Sequence, residues 1–81
     1  MNKVYTVYIL KCNDYTHYVG CTSDFEERFS RHIKGYVHYT KTRLPLSVAV
    51  KICFDDRYKA YEFEKYLKSG SGRAFMKRHL V

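Results

Sequence analysis

Val4-Tyr5-Thr6-Val7-Tyr8-Ile9-Leu10, followed after Asn13-Asp14 by His17-Tyr18-Val19-Gly20-Cys21-Thr22, decides how the other residues are read. Both runs are rich in β-branched and aromatic side chains, which fit a pleated, half-buried surface. The first predicts a strand running to about Cys12 and the second a short strand over 17–22. Asn13-Asp14 is a turn signal. A connection of so few residues joins antiparallel neighbours, so the chain opens on a β-hairpin.

Working outward, Ser23 offers a helix N-cap, with Glu26 three residues on as a capping box. Phe25, Phe29 and Ile33 repeat at helical spacing and Gly35 closes the pattern, which predicts a helix over 24–34. Residues 35–45 are polar and basic, end on Leu44-Pro45 and read as a loop, long enough that a functional role is expected. Residues 47–54 (SVAVKICF) predict a third strand. Asp55-Asp56 caps a second helix over 57–68, whose apolar stripe is Ala60, Phe63 and Leu67. Ser69-Gly70-Ser71-Gly72 is expected to break that helix. A last helix over 73–80 should turn Phe75 and Leu80 inward and Arg73, Lys77, Arg78 and His79 outward. The order ββαβαα, without repeat or linker, predicts an α/β (α+β) fold: one domain over 1–81 with a small three-stranded antiparallel sheet flanked by helices.

A domain of 81 residues buries only about 60–65 % of its unfolded surface, so its core is small. Fifteen Lys+Arg against eight Asp+Glu give a formal charge of +7, a field that favours polyanionic partners. No apolar run is long enough to span a bilayer, and the basic residues are interleaved with nine tyrosines. Nucleic acid is therefore the expected partner and a membrane is not. Cys12, Cys21 and Cys53 form neither a disulfide framework nor a zinc spacing. They are expected to be reduced, packed as small apolar residues in a cytoplasmic protein.

Four features break the local patterns. If Leu10 opposes Tyr18, then Tyr8 opposes Gly20, and both tyrosines share one face with an open spot beside Tyr8. The pair is then either part of a site or a cross-strand aromatic pair of the core. Arg28 and His32 lie four apart on one helix face, as a phosphate grip and a proton relay or as two solvated polar residues. Glu64 interrupts the stripe of Ala60, Phe63 and Leu67, where a carboxylate needs an ion-pair partner or a metal. A hard cation such as Mg²⁺ requires few protein ligands, so one carboxylate could suffice. Lys34, Lys41 and Arg43, mixed with Tyr36, His38 and Tyr39, suit phosphates and bases, or form a plain solvated loop.

Together these residues resemble the GIY-YIG nuclease family over about residues 4–80. Thr6-Val7-Tyr8 resembles the GIY element and Tyr18-Val19-Gly20 the YIG element. Asp24-Phe25-Glu26-Glu27-Arg28 with His32 resembles the helix that carries the catalytic Arg, and Ala60 through Glu64 to Lys68 the helix of the metal-binding Glu. Lys41, after Thr40, matches a lysine of the small stand-alone members. The chain is similar to the short bacterial members and to the N-terminal nuclease domain of the excinuclease, which implies a DNA-repair setting. It departs from the pattern at Thr6, where the family has Gly, and in having no Asn beyond position 13.

The resemblance implies an endonuclease that hydrolyses a phosphodiester bond in nucleic acid, with DNA the expected polymer and RNA left open, and with one Mg²⁺ or Mn²⁺ on Glu64. It implies Tyr8, aided by Tyr18 or His32, as the group that takes a proton from water, and Arg28 as the phosphate ligand. Gly20, Lys34, Lys41 and Arg43 would line the nucleic acid. A second reading keeps the fold but leaves the metal site incomplete, giving a non-catalytic DNA- or RNA-binding module. The absence of an Asn after Glu64 favours it.

Overall fold

Side chains alternate between the two faces of a strand, and here that alternation sorts the hairpin into two chemistries. In the computed structural model, which describes residues 3–81, β1 (Tyr5–Lys11) pairs antiparallel with β2 (His17–Thr22). Val7 and Ile9 of β1 share a face with Val19 and Cys21 of β2. Tyr8 and Leu10 share the other with Gly20 and Tyr18, since Tyr8 opposes Gly20 and Leu10 opposes Tyr18. The register predicted from the sequence is the one the chain adopts.

β3 (Ser47–Phe54) pairs antiparallel with the opposite side of β1, so the sheet order is β2-β1-β3 and both β2 and β3 are edge strands. The pairing slips by one residue between Ile9 and Leu10, leaving Ala49 as a bulge. Three helices complete the order ββαβαα: α1 (Phe25–Ile33), α2 (Arg57–Leu67) and α3 (Gly70–His79). The apolar core lies on the Val7/Ile9 face, where Ala60 and Leu67 of α2 and Met76 of α3 are buried against the sheet. Burying a side chain such as Leu67 stabilises by about 1.5–3 kcal/mol. α1 covers the Tyr8 face, with the Phe25 and His32 rings 5.4 and 5.7 Å from that of Tyr8. Among the described residues no helix is long and apolar enough to cross a membrane.

Several local expectations are corrected. Asp24, not Ser23, caps α1 and accepts from the Glu27 backbone N–H. Thr22 Oγ1 holds the Asp24 N–H and so sets the phase of the cap. Ile33 is exposed and His32 is the buried member of that turn. Steps of four residues overshoot a full turn by about 40°, so by the second step Ile33 has drifted about 80° from Phe25, whereas His32 lies within about 20° of it. Cys53 is exposed on edge strand β3, its Sγ 3.8 Å from Thr6 Oγ1, while Cys12 and Cys21 are buried as expected. Residues 36–43 are wound into successive turns, with the Thr40 and Lys41 N–H groups on the Val37 carbonyl and the Arg43 N–H on that of Thr40. Gly35 ends α1 at a φ of 79°, the left-handed cap conformation that glycine adopts without a steric cost.

The break between α2 and α3 is shorter than the glycines suggest. Ser69 caps α3 by accepting from the Gly72 N–H, and only Lys68 and Ser69 separate the two helices. Gly72 is buried, and a Cβ placed there would fall on the Tyr66 carbonyl oxygen. Gly70 faces open space. The two glycines therefore differ in kind, one being required by helix-to-helix approach and the other not. Gly72→Ala is expected to destabilise by about 1–3 kcal/mol, a fall in Tm of about 4 °C or more. Gly70→Ala should hold or raise Tm. Thermal melts of the two variants side by side check this, and equal losses would refute the packing explanation.

Candidate active site

Gly20 has no side chain, and the Tyr8 ring occupies the space this leaves. A Cβ at Gly20 would fall on the Tyr8 Cζ and Oη atoms. The spot expected to stand open beside Tyr8 is filled by Tyr8 itself, so Gly20 positions the ring and presents no free surface to a ligand. Tyr18 lies alongside, its centroid 6.2 Å from that of Tyr8 and 4.9 Å from that of His32. Tyr8 is fully buried and Tyr18 half-buried.

A buried phenol needs a hydrogen-bond partner, and a short chain of groups provides one. Tyr8 Oη lies 3.0 Å from His32 Nε2, and His32 Nδ1 lies 2.8 Å from Thr40 Oγ1. The Thr40 hydroxyl points at the Val37 carbonyl, 3.5 Å away, and can only donate there. That direction makes Thr40 Oγ1 the acceptor for Nδ1–H, which leaves Nε2 as the acceptor for the Tyr8 hydroxyl. His32 and Thr40 are both fully buried, so His32 is not a solvated surface residue. Thr40 lies outside the set expected from the sequence, and no periodicity or composition signal in its turn distinguishes it from its neighbours.

Charges from two helices reach this chain of groups. Tyr8 is pushed up to about 12, chiefly by burial, then by Tyr18, while the Arg28 guanidinium lowers it and the Glu64 carboxylate raises it. The Cys21 thiol is pushed up by burial and then by Glu64, with Arg28 opposing. Arg28 on α1 and Glu64 on α2 thus act on the same two side chains from helices on opposite faces of the sheet. His32 is held below its ordinary value by burial first and Arg28 second.

Glu64 has an ion-pair partner. Its Oε2 lies 3.1 Å from Lys68 Nζ, with the two side chains 21 % and 53 % exposed respectively. It lies at the margin of the α2 stripe rather than deep in it, which moderates the expected cost of burial. No cluster of three or more His, Cys, Asp or Glu side chains with metal-holding geometry occurs among the described residues.

The turns over 36–43 meet the site through Tyr39, whose ring is 5.5 Å from that of Tyr18. Arg43 lies 4.0 Å over the Tyr39 ring and pairs with Asp14 at 3.1 Å, so its charge is already engaged. Lys34, which caps the end of α1, and Lys41 are exposed.

The model of the GIY-YIG catalytic domain matches residues 4–78. The chain belongs to the GIY-YIG family. This is a nuclease family acting on nucleic acid, and its members generally use a divalent metal. The chain is 42 % identical over 69 residues to the UPF0213 protein YsiG of Lactococcus lactis, a match covering 84 % of this chain and 65 % of that protein. It is 35 % identical over 78 residues to a UPF0213 protein of Staphylococcus saprophyticus, covering 95 % of this chain and 94 % of the relative. The solution NMR structure of a UPF0213 protein of Bacillus halodurans superposes with a TM-score of 0.61 at 30 % identity, over 93 % of this chain and 81 % of that one. The names of these relatives state no reaction. In this GIY-YIG domain the two signature triplets meet at a single cross-strand pair, which sets Tyr8 opposite Gly20 with Tyr18 beside them.

A neutral buried His32 makes stability depend on pH with a definite sign. Its folded pKa lies below its unfolded one, so the unfolded chain binds the proton first as pH falls. The contribution is therefore fully present above about pH 6.5 and is lost as pH drops towards the lower folded value. Tm should be level above about pH 7, fall below it, and lose most of that acid limb in His32→Gln. A wild-type Tm that stays level down to about pH 5 would contradict a buried neutral imidazole.

Proposed function

We propose that the protein is a divalent-metal-dependent endonuclease that hydrolyses a phosphodiester bond in nucleic acid, with DNA the polymer to test first. The observation that carries the reading is the meeting of Tyr8, His32, Arg28 and Glu64: a directed hydrogen-bond chain whose phenol end feels one cation and one carboxylate. Tyr8, Tyr18, Arg28 and His32 are the catalytic set in this reading, and Glu64 is the metal ligand.

Glu64 fits a hard cation. It is a partly exposed carboxylate that belongs to no cluster of three or more potential ligands among the described residues, which suits an ion that keeps most of its waters and takes phosphate oxygens as well. Mg²⁺ or Mn²⁺ bound there supplies positive charge to the phosphate oxygens. The rest is done by side chains. Arg28 binds a phosphate oxygen and balances the charge that develops on it. Tyr8 resists forming a phenolate, as its pKa of about 12 requires. A relay avoids that species. Tyr8 Oη is enclosed in the free protein, so the step requires the bound substrate to open a path for water to it. The attacking water then gives its proton to Tyr8 Oη while the Tyr8 proton passes to His32 Nε2, and Thr40 Oγ1 holds the imidazolium through Nδ1–H. Tyr18 packs against both rings and keeps them aligned. Lys34 and Lys41 offer exposed charge for flanking phosphates, whereas Arg43 is engaged by Asp14 and braces Tyr39.

The Glu64–Lys68 ion pair favours a second reading, in which the carboxylate is structural and the protein binds nucleic acid without cutting it. The two readings part at Glu64→Gln. Lys68 is half exposed, so stranding it costs only about 0.3–0.5 kcal/mol, and Tm should barely move in either case. The nuclease reading expects Glu64→Gln to abolish Mg²⁺-dependent plasmid cleavage, keep DNA binding, and lose the thermal stabilisation that Mn²⁺ gives the wild type. It also expects Lys68→Ala to preserve or strengthen that stabilisation, because the carboxylate is released. Cleavage by Glu64→Gln at the wild-type rate would remove Glu64 as the metal ligand.

A further inference from the structure

Beside the free edge of β2 run two adjoining hollows of about 280 and 600 Å³. They share His17, Tyr39, Arg73 and Met76, which makes them one groove. Its near end is lined by Tyr18 and Lys68, next to the candidate active site, and its far end by Tyr15 and Lys77. Arg73 and Lys77 are four apart on α3 and therefore stand one above the other on one face. No Asp or Glu lines either hollow, and among the described residues neither Arg73 nor Lys77 forms an ion pair. Cations in a row with no Asp or Glu beside them select a polyanion.

Tyr15 supplies an independent observation at the far end. It is the one non-glycine among the described residues with a positive φ, 67°, and the residue is 78 % exposed. A bulky residue in the left-handed region is strained, and Gly or Asn would hold the same turn more comfortably. No core contact compensates, because the ring's charged neighbour is the Lys11 ammonium 5.3 Å from its centroid and the rest of the ring meets solvent. An exposed ring kept at a cost to its own turn fits stacking on a base.

We infer that this groove seats the nucleic-acid strand flanking the scissile phosphate, with Arg73 and Lys77 on successive phosphates and Tyr15 stacked on a base. What stands at the near end of the groove rests on the nuclease reading of Tyr8 and Glu64. The groove itself stands on its shape, its charge and Tyr15.

The test is fluorescence anisotropy of a labelled DNA oligonucleotide with the full chain, over a KCl series and with divalent metal chelated, in single-stranded and duplex arms. Arg73→Ala/Lys77→Ala should bind at least about tenfold more weakly at low salt. It should also flatten the log–log salt slope by about 1.4 on a single strand or about 1.8 on a duplex, for two phosphate contacts. Arg57→Ala/Lys59→Ala removes the same charge from α2, outside the groove, and should change little. Tyr15→Gly relieves the turn, so Tm should hold or rise while affinity falls about fivefold or more with the slope unchanged. Losses confined to the single-stranded arm identify an unpaired flank, and losses in both arms a paired one. The inference is overturned if the α2 control loses as much as the groove variant, or if Tyr15→Gly binds as wild type. A wild type that binds here and cleaves plasmid once Mg²⁺ is supplied, while the groove variants bind normally, sinks the groove alone. A wild type that binds neither arm sinks the nuclease reading with it.

Discussion

The phenol of Tyr8 is enclosed completely, and a hydroxyl removed from water without a partner costs about 1–3 kcal/mol. Much of the architecture on that face of the sheet can be understood as the means of giving it a partner. Gly20 makes room for the ring, so the hairpin must pair in the register that sets Tyr8 opposite it. His32 accepts the hydroxyl, which fixes the rotation of α1 about its axis and turns Ile33 out to solvent. Thr40 then receives the second imidazole nitrogen and ties the turns over 36–43 to the end of the helix. Once α1 is rotated so that His32 lies beneath Tyr8, Arg28 one turn earlier is carried to the same side. One buried donor thereby aligns a strand, a helix and a loop, and no buried side-chain nitrogen or oxygen among the described residues lacks a partner.

The same burial sets the electrostatics. Desolvation disfavours charge on both members of the pair, raising the phenol and lowering the imidazole, so the resting chain of hydrogen bonds is neutral. Arg28 tips Tyr8 towards ionisation and His32 away from protonation, while Glu64 raises Tyr8. A neutral chain with a defined direction can pass a proton through Tyr8 without forming a phenolate, the charge coming to rest on the imidazole that Thr40 holds. An isolated buried tyrosine would have to become a phenolate against a pKa of about 12. The second ring partner, Tyr18, carries the arrangement outward to Tyr39 and so to the turn segment.

The hairpin was legible because alternation over six or more residues leaves few registers that bury the same set, and Gly20 singles out one of them. Strand β3 was legible for the same reason, and its bounds over 47–54 agree with the structure. Helix ends were less so. Ser23 and Asp24 are both good caps and each has a Glu three residues on, so local chemistry could not choose, and the deciding bond comes from Thr22. The glycines at 70 and 72 looked alike, yet one is demanded by the Tyr66 carbonyl of the neighbouring helix, a contact that exists only once α2 and α3 have packed. In the candidate site, Tyr8, Tyr18, Arg28 and Glu64 stood out by spacing. His32 was visible, but its burial depends on helix rotation, and Thr40 left no trace because its role is to hold another side chain.

Glu64 is the residue whose meaning depends most on its surroundings. A carboxylate locked to a buried arginine would be committed to structure, since separating such a pair strands a charge in a poor solvent. Lys68 is a different kind of partner. It lies one turn away on the same helix, more than half exposed, and an ion pair of that kind is worth only tenths of a kcal/mol. Water can replace the ammonium at almost no cost, so the pair does not hold Glu64 away from other ligands. The carboxylate stands in a protein of net charge +7, close enough to Tyr8 and Cys21 to raise both. A phosphate drawn in by the surrounding cations would bring negative charge next to it, and like charges at that range repel. In the proposed reading a cation at Glu64 would relieve that repulsion, and a lysine on a flexible stem gives way more readily there than a fixed guanidinium would.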